Sequence, residues 1–551
     1  MAEASDFDLA AFLKPLDVDD TRLLLLARRF SSTYRHLAQT STEQFLPTPI
    51  TALPSGQETG KFLAIDVGGS NLRVGFIELL GQGPTSALPP SDGRARDQTS
   101  EQFRLRRTHE KAWPIGDHLK MDKAEDLFAW IGDCISEVVE DDVESSPTSG
   151  LGLDSGGSHD EVVMGITFSF PMIQTSLAEA TLMPMGKGFA ITSNLNLGKL
   201  LLAGYERHTV AVLPETDSLK SSDRPTLKRR KVRKLPHLRI AAISNDTVAT
   251  LAAMSYAVQS QSQGKVAMGL IVGTGTNATI PMRLADLSET KRNSVLLPEG
   301  ITRESAEVVV NTEWTISGTA PPLRDLGFVT IWDEILDRTS EAPGFQPFEY
   351  MTAGRYLGEL ARLCVLDIFT NQFRVSEKYL PLGLRQRNAL TTTFLAKVAA
   401  SAGSTTSLLD ELQEELPPPS GSSWAWDVES SEILRKVASK LQVRSAGLIA
   451  AAVIGLLGCT RHIDLADEEN TERSKISNAD GQTTPKELVV ACTGGVISNY
   501  PGFLESCQSR IDELLSLEGP RNAKKHILLQ EALDGGIIGA GVLAGTVANM
   551  S

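Results

Sequence analysis

Apolar and polar residues alternate on both sides of a short glycine-containing segment near the start of the chain. The alternating apolar residues are, in order, Leu63, Ile65, Val67, Leu72, Val74 and Phe76. A period of two residues is typical of β-strands, and the intervening residues 68–71 read Gly-Gly-Ser-Asn. The pattern therefore predicts two strands joined by a tight turn.

The predicted turn carries groups that suit a phosphate and a divalent cation. Gly68 and Gly69 leave room for backbone N–H groups to approach an anion, and Ser70 offers it a hydroxyl. Asp66, at the edge of the turn, could hold Mg²⁺ through a water molecule. The segment is not a Walker P-loop, because it lacks Gly-Lys-Ser/Thr and is followed by a strand. On these residues alone, an ordinary hairpin remains the alternative.

Two other regions have apolar patterns that predict helices. Asp19 and Asp20 precede apolar residues spaced three or four apart, which predicts a capped amphipathic helix. Its apolar stripe contains Leu26, Phe30, Tyr34 and Leu37. A continuous apolar run at residues 446–459 is too short to cross a bilayer, so it predicts a buried core helix.

Five segments lack periodicity and are rich in serine, glycine, proline or charged residues. They are 81–100, 145–160, 213–237, 399–423 and 464–485. Such composition is typical of exposed or disordered loops, and we expect loops at all five places.

Composition narrows the class of protein. A chain of 551 residues is long enough for more than one domain, and 41% hydrophobic residues is ordinary for a globular protein. The net charge of −15 argues against general affinity for nucleic acids or membrane surfaces. The five cysteines lie far apart and form no CxxC pair, which favours reduced thiols over disulfides or a zinc site.

Further motifs follow the predicted hairpin along nearly the whole chain. In order they start at Thr167 (Thr-Phe-Ser-Phe-Pro, with Gln174), Lys187 (Lys-Gly-Phe), Ser244 (Ser-Asn-Asp-Thr), Gly273 (Gly-Thr-Gly-Thr-Asn), Asn311 (Asn-Thr-Glu-Trp), Gln346 (Gln-x-x-Glu), Tyr500 (Tyr-Pro-Gly-Phe) and Asp534 (Asp-Gly). Together with residues 62–74, this set resembles the motifs of the hexokinase family in the family's order. Because the motifs appear once each, the chain resembles a single hexokinase unit.

The resemblance implies an α/β fold of two lobes, each built on an actin-like (ribonuclease-H-like) ATPase sheet, with a cleft between them. We expect the small lobe at residues 59–246 plus 534–551 and the large lobe at 1–58 plus 247–533. The segment 213–237 is expected as a basic loop insertion in the small lobe.

The resemblance also implies the residues that bind a hexose. They are Ser169, Gln174, Lys187, Asn245, Asp246, Glu313, Gln346 and Glu349. Carboxylates suit a ring of hydroxyl groups, because each carboxylate can accept from two neighbouring O–H groups. By the same resemblance, Asp246 is the catalytic base for the sugar 6-hydroxyl and Lys187 stabilises charge on the moving phosphoryl group. From the residues alone, Asp246 could instead cap a helix over residues 248–258, and Lys187 could be a surface lysine.

On the nucleotide side, the resemblance implies ATP and Mg²⁺ as cofactors, with Asp66 holding the metal indirectly. The implied nucleotide-binding residues are Asp66, Gly68, Gly69, Ser70, Asn71, Arg73, Gly273, Thr274, Gly275, Thr493, Gly494 and Gly535.

The sequence departs from the family pattern at several positions, most of them on the nucleotide side. Thr493 stands where the family has aspartate, and Gly495 stands where it has a phosphate-binding hydroxyl. Gly536 replaces the serine of the usual Asp-Gly-Ser-Gly run, and Gly186 replaces a threonine that contacts the sugar. We therefore expect sugar binding to be retained better than phosphoryl transfer.

These departures leave two functions open. One is an active ATP-dependent hexokinase that makes hexose 6-phosphate. The other, which the departures favour, is a kinase-impaired regulator that binds a glucose-type hexose and signals to a protein partner. In these respects the chain is similar to the atypical hexokinase-like regulatory proteins of filamentous fungi. A generic actin-like ATPase would not explain the sugar motifs at 167–174 and 346–349.

A dense cationic run, residues 228–234, lies within the third loop segment of this acidic protein. Such a run can be a nuclear localisation signal, so we expect the protein in the cytoplasm, the nucleus or both. A solvated loop without a role is the alternative. Alanine substitution of residues 228–231 should reduce nuclear import, as measured by microscopy of a tagged protein, and an unchanged distribution would exclude the signal.

Overall fold

A computed structural model of the chain describes most of its residues. The described ranges are 7–81, 104–116, 118–119, 124–145, 161–170, 172–182, 195–209, 235–259, 264–401, 405–466 and 487–549. The strands are β1 Leu46–Pro47, β2 Thr59–Val67, β3 Asn71–Leu80, β4 Leu105–Pro114, β5 Glu161–Phe168, β6 Met172–Ser176, β7 Glu179–Leu182, β8 Leu195–Asn196, β9 His237–Ser244, β10 Lys265–Val272, β11 Thr276–Arg283, β12 Glu307–Asn311, β13 Glu487–Thr493 and β14 His526–Glu531.

Helices occupy much of the remaining described chain. The α-helices are α1 Leu9–Leu13, α2 Asp20–Thr40, α3 Ala124–Ser145, α4 Leu197–Glu206, α5 Asp246–Gln259, α6 Glu289–Ser294, α7 Ala320–Asp325, α8 Ile331–Thr339, α9 Pro347–Thr352, α10 Gly354–Asp367, α11 Leu382–Arg385, α12 Thr392–Ala400, α13 Thr405–Glu415, α14 Val428–Cys459, α15 Gly495–Asn499, α16 Phe503–Glu518 and α17 Gly535–Ala548. Short 3₁₀ helices lie at Lys14–Leu16, Leu284–Asp286, Ser317–Thr319, Glu377–Tyr379 and Pro520–Asn522, and a π-helical turn lies at Ile368–Gln372.

The chain divides into two compact units, each with its own mixed sheet. Unit 1 comprises Met1–Ala52 and Ser262–Leu533, and unit 2 comprises Leu53–Gln261 and Asp534–Ser551. The strand order in unit 1 is β1-β12-β11-β10-β13-β14, with β10, β13 and β14 parallel. Unit 2 has the order β4-β3-β2-β5-β9, with β2, β5 and β9 parallel, and a small sheet of β6, β7 and β8. Both units therefore contain an antiparallel hairpin followed by two parallel strands, and the α/β fold class predicted from the sequence is confirmed.

The division between the units differs from the sequence-based boundary in two places. Residues 53–58 and 247–261 lie in unit 2, whereas they were expected in the large lobe. The reason for the second difference is the packing of α5 on α17, both within unit 2. A Cβ added to Gly539 of α17 would lie 2.1 Å from the carbonyl oxygen of Ala249 in α5, so the two helices meet backbone to backbone. Helix α5 cannot leave α17 without exposing this buried surface.

The hairpin predicted at the start of the chain is confirmed. β2 and β3 are antiparallel, with Asp66 opposite Arg73 and Val67 opposite Leu72. The backbone N–H of Gly68 donates to the carbonyl oxygen of Asn71 at 2.9 Å and closes the turn.

The two predicted helices are also confirmed. α2 begins after Asp19, whose carboxylate accepts a hydrogen bond from the backbone N–H of Arg22 at 2.9 Å. Residues 446–459 form the second half of α14, which is 32 residues long. Although α14 is long and apolar enough to cross a membrane, 94% of its most apolar window is buried inside the protein. It packs against α2, α10, α12 and α16 and is the central helix of unit 1.

One of the five expected loops is wrong. Within 399–423 the chain forms α13, and Leu408, Leu412 and Leu416 are buried at intervals of four residues. The indole N–H of Trp426 donates to the carbonyl oxygen of Leu416 at 2.8 Å, which fixes the end of the segment. The spacing of these leucines was visible in the sequence, but the neighbouring glycine, serine and proline residues obscured it. The other four segments lie mostly outside the described residues.

Lys291 of α6 gives the first testable prediction. The residue is 8% exposed. Its ammonium group donates to the carbonyl oxygens of Leu37, Ala38 and Gln44 at 3.3, 3.2 and 2.7 Å, and burial lowers the pKa of this group to about 8. The unfolded chain, with a lysine pKa of 10.5, then binds this proton more tightly than the folded protein, so this group makes stability rise with pH between about 8 and 10.5. The unfolding free energy of wild type minus that of K291M should rise across this range, by up to about 1.4 kcal/mol per pH unit. Urea unfolding at several pH values measures it, and a constant difference would contradict the prediction.

Candidate functional site

Neighbouring strands of unit 2 bring several candidate residues to one edge of its sheet. Asp66, Thr167 and Ser244 lie side by side in the register of β2, β5 and β9. Ser169 and Asp246 each follow two residues later along the chain, so they leave the sheet at the same carboxyl edge. Ligands of open α/β sheets bind at this edge. The sheet therefore gathers the unit 2 candidates for sugar and phosphate binding.

The start of α5 shows which residue caps this helix. The side-chain oxygen of Asn245 accepts hydrogen bonds from the Val248 backbone N–H at 2.9 Å and the Thr247 hydroxyl at 3.1 Å. Asp246 is the first residue of the helix and is half-buried, and its carboxylate accepts a local hydrogen bond from the Thr247 backbone N–H at 2.9 Å. Asn245 is therefore the cap, and the Asp246 carboxylate is not required for it.

Asp66 belongs to a ladder of charged side chains that joins the hairpin to α17. Arg73 donates to Asp66 at 2.7 Å and also to Asp534, and Arg107 donates to the second oxygen of Asp534 at 2.7 Å. Burial raises the pKa of the Asp66 carboxyl; the Arg73 guanidinium opposes this rise, and the negative charges of Asp246 and Asp534 add to it.

Asp534, at the other end of the ladder, has a pKa shifted in the opposite direction. Burial would raise its pKa, but the hydrogen bond from Arg107 and the charge of Arg73 prevail and lower the pKa of this carboxyl. Asp534 adopts a left-handed conformation, with φ of 56°, immediately before α17. Gly535 follows it and is buried.

The departure from the family pattern at Gly536 has a steric reason. A Cβ added there would lie 2.6 Å from a carboxylate oxygen of Asp66, so Asp66 occupies the space that a serine side chain would need. The hydroxyl of Thr167 donates to the Gly536 carbonyl oxygen at 2.9 Å and fixes the same residue from the β5 side. Glycine at 536 is thus matched to the position of Asp66.

Two residues of unit 2 that were predicted to bind the sugar, Gln174 and Ser169, form hydrogen bonds within the protein. The side-chain amide of Gln174 donates to the carbonyl oxygen of Ile243 at 2.9 Å, so it braces the end of β9 just before Asp246. Ser169 is half-buried, and its backbone N–H donates to the carbonyl oxygen of Val67 at 3.0 Å.

In unit 1, consecutive residues at the start of β11 hold two predicted sugar-binding carboxylates. The backbone N–H of Thr276 donates to Glu349 at 3.1 Å, and the side-chain amide of Asn277 donates to Glu313 at 3.2 Å. A second amide, from Asn311, donates to the same Glu313 oxygen at 2.8 Å. Two adjacent residues at the start of β11 therefore hold both carboxylates.

Aromatic packing fixes the backbone behind both carboxylates. Trp314 follows Glu313 and Phe348 precedes Glu349, and their rings meet edge to face with centroids 6.0 Å apart. Phe30 and Tyr34 of α2 complete the cluster, with centroid distances of 5.5 Å from Phe30 to Phe348 and 6.4 Å from Tyr34 to Trp314. Such pairs add to the stability from burial. Gln346 is half-buried at the start of α9, the helix that carries Glu349.

The predicted nucleotide residues of unit 1 form two turns in backbone contact. The Gly273 N–H donates to the Gly275 carbonyl oxygen at 2.9 Å, and the carbonyl oxygens of Gly273 and Thr274 accept from the backbone of Gly354 and Arg355 at 2.7 and 3.2 Å. Gly494 has φ of 122°, and a Cβ there would lie 2.4 Å from the carbonyl oxygen of Val272. Only glycine fits at 494.

Thr493 ends β13 next to the Gly494 turn and is half-buried. At this position the chain offers a hydroxyl where the family has a carboxylate. In unit 2, Ser70 and Asn71 are exposed, and Gly69 is half-buried.

Lys187, the predicted charge stabiliser, lies outside the described residues, as do Gly186 and the basic run 228–234. Their roles remain predictions.

The described residues fit a magnesium–nucleotide complex only in part. In the described ranges, no group of three or more His, Cys, Asp or Glu side chains could hold a metal ion by itself. Mg²⁺ in nucleotide sites is held mainly by phosphates, water and one or two carboxylates, and Asp66 can supply one carboxylate. Its hydrogen bond to Arg73 and its burial oppose that use.

Comparison with known proteins decides the family. Two family models, both described as hexokinase, match residues 8–256 and 267–546. The chain belongs to the hexokinase family. Among similar proteins, a hexokinase of Schistosoma mansoni is 27% identical over 542 residues, covering 97% of this chain and 95% of that protein. A hexokinase of Kluyveromyces lactis is 26% identical, covering 91% and 83%, and Hexokinase-1 of Oryza sativa is 28% identical, covering 90% and 81%.

Solved hexokinase structures share the fold. The S. mansoni hexokinase complexed with glucose aligns with a TM-score of 0.70 at 24% identity, covering 98% of both chains. A second hexokinase crystal structure aligns with a TM-score of 0.65 at 24% identity and the same coverage. The fold predicted from the motifs of this hexokinase-family chain is therefore confirmed.

Sequence reasoning missed several residues that hold the candidate side chains in place within each unit of this hexokinase-family chain. Thr276 and Asn277 end the Gly-Thr-Gly-Thr-Asn motif and were not among the predicted site residues, but the structure shows that they hold Glu349 and Glu313. The available signal was that these two polar residues begin the buried strand β11. No signal indicated Arg107, because its partner Asp534 is 427 residues away in sequence.

Arg73 gives a stability prediction. In R73M, Asp66 would remain buried without the guanidinium, and we expect the free energy of unfolding to fall by about 2–3 kcal/mol. The exposed pair of Arg106 and Glu78 provides the control, and R106M should cost less than about 1 kcal/mol. Adding D66N to R73M removes the unpaired charge and should recover part of the loss in urea unfolding. Equal losses for R73M and R106M would refute a structural role for the ladder.

Proposed function

We propose that this hexokinase-family protein binds a glucose-type hexose, transfers phosphoryl groups poorly, and acts mainly as a sugar-sensing regulator of a protein partner. The observation that carries the proposal is the contrast between two parts of unit 1. Its sugar-side carboxylates are held ready by hydrogen-bond donors, while its nucleotide-side turn lacks the family's carboxylate at 493 and hydroxyl at 495.

Support for hexose binding comes from preorganisation. Glu313 and Glu349 are ordered by donors on consecutive residues, so the protein need not rearrange them when a sugar arrives. Such preorganisation lowers the cost of binding. The similar S. mansoni structure was solved with glucose, which is consistent with a hexose as ligand here.

Support for impaired phosphoryl transfer comes from the free energy of the hydrogen bonds that the two departures remove. Kinases of this family use ATP and Mg²⁺, and transfer depends on positioning and charge stabilisation of the phosphates. A hydrogen bond to a charged group contributes about 1.5–3 kcal/mol. Two such losses, at 493 and 495, lower transition-state stabilisation by a factor on the order of 10²–10⁴.

An active ATP-dependent hexokinase is the second candidate, and one observation favours it. The helix cap belongs to Asn245, which leaves the Asp246 carboxylate available as a base. If the Thr493 hydroxyl served the phosphate from its half-buried position, transfer would proceed at ordinary rates.

Calorimetry with glucose and a coupled ADP-release assay separate these functions. We expect heat of glucose binding in wild type and a turnover at least about 100-fold below the ordinary range of about 1–10³ s⁻¹. E313Q should weaken glucose binding by about 10-fold or more, through loss of a charged acceptor, and E334Q, an exposed glutamate of the same unit, should bind normally. Turnover in the ordinary range would defeat impaired transfer, and absence of heat would defeat hexose binding.

A gain-of-function variant tests the cause of the impairment in the same assays. T493D/G495S restores the family residues on either side of Gly494, and it should raise turnover by about 10-fold or more while leaving glucose affinity unchanged. A slow wild type whose rate is not raised by this variant would show that the two positions are not the cause.

A further inference from the structure

Glu313 has a backbone conformation that glutamate rarely adopts. Its φ is 45°, in the left-handed region, and this is costly for a residue with a side chain. Such a conformation persists only where surrounding contacts hold it. Because φ and ψ set the direction of the side chain, the contacts that hold the Glu313 backbone also aim its carboxylate.

A hydrogen bond to the Glu313 backbone comes from Gln44, in the segment after α2. Gln44 is 2% exposed, and its side-chain amide donates to the carbonyl oxygen of Glu313 at 3.0 Å and to the Thr319 hydroxyl at 3.3 Å. One amide group therefore binds both the left-handed residue and the 3₁₀ turn that follows it.

Gln44 is itself held firmly at its own backbone. Its carbonyl oxygen accepts from the buried ammonium of Lys291 at 2.7 Å, and its N–H donates to the Ser41 hydroxyl at 3.1 Å. The next residue, Phe45, donates its N–H to the carbonyl oxygen of Thr312 at 3.0 Å. The segment from Ser41 to Phe45 is thus bonded to the chain on both sides of the Glu313 side chain.

Space for the Gln44 amide is provided by Gly318. A Cβ added there would lie 2.1 Å from the side-chain oxygen of Gln44 and 2.7 Å from a methyl group of Leu37. A methyl group at 318 would therefore displace the amide from Glu313 without changing Gln44.

We propose that Gln44 is a positioning residue for hexose recognition, which holds Glu313 in its left-handed conformation and so aims the carboxylate at the sugar. This inference rests on the proposed function, because it assigns to Glu313 a role in binding a hexose. Gln44 lies 269 residues from Glu313 in sequence and binds its backbone carbonyl oxygen.

Two variants remove the contact in different ways, and a third provides the control. Q44M keeps the length of the side chain and removes the donor, and G318A displaces the amide. Q442M removes another buried glutamine, 8% exposed, whose amide donates to the carbonyl oxygen of Gly502 at 3.0 Å in the same unit. Q44M and G318A lose the two hydrogen bonds that the Gln44 amide donates, and Q442M loses one. Thermal unfolding should therefore show losses of the same order in all three variants, and somewhat larger losses in the first two.

Glucose calorimetry and hydrogen exchange distinguish positioning from general stability. We expect Q44M and G318A each to weaken glucose binding by about 10-fold, Q442M to remain within about twofold of wild type, and Q44M/G318A to be no weaker than Q44M. Mass spectrometry should show faster amide exchange over residues 312–319 in Q44M and not in Q442M. Glucose affinity in Q44M equal to that in Q442M would overturn the proposal.

The exchange measurement separates this inference from the proposed function. If wild type binds no glucose, the proposed function fails, and exchange over 312–319 still decides whether Gln44 holds the Glu313 backbone. Unchanged exchange in Q44M would then refute that role, and faster exchange would support it.

Discussion

A buried carboxylate needs a donor, and this requirement organises the candidate regions of both units. In unit 1, Glu349 is 5% exposed and receives a backbone N–H from Thr276, while Glu313 receives two side-chain amides. In unit 2, the donor for Asp66 is the guanidinium of Arg73. The described donors to Glu313 and Glu349 are uncharged amide groups, whereas the described donor to Asp66 is the cationic guanidinium of Arg73.

The same strand order in both units explains where these groups lie. In each unit the first two strands of the shared pattern form a hairpin, β2–β3 or β10–β11, and the next strand adds in parallel to the first. The hairpin turns at 68–70 and 273–275 both leave the carboxyl end of the first strand, next to the carboxyl ends of the parallel strands. Ligand-binding residues of open sheets gather at such edges. One topology thus supplies a glycine turn and a row of polar side chains twice in one chain.

Local patterns predicted the hairpin, α2 and the core part of α14, because strand and helix periods depend only on neighbouring residues. The order of the motifs predicted the family and the fold. The sequence analysis predicted a loop where α13 lies, because the leucines of this helix stand among residues typical of loops. It also missed the bonds from Gln44 to Glu313 and from Arg107 to Asp534, which join residues 269 and 427 positions apart. Such contacts depend on the packed fold, and a single sequence carries no local sign of them.

Helix α17 fills the centre of unit 2, where it packs against β2, β3, β5, β9 and α5. Ribosomes make α17 only after they have made residues 262–533, which form most of unit 1. During synthesis, the face of the unit 2 sheet that packs on α17 therefore stays uncovered by this helix until residues 262–533 have been made. Exposed apolar surface on a nascent chain is a target for chaperones and a cause of aggregation. Production of this protein should accordingly depend on chaperone capacity more than its net charge of −15 alone would suggest.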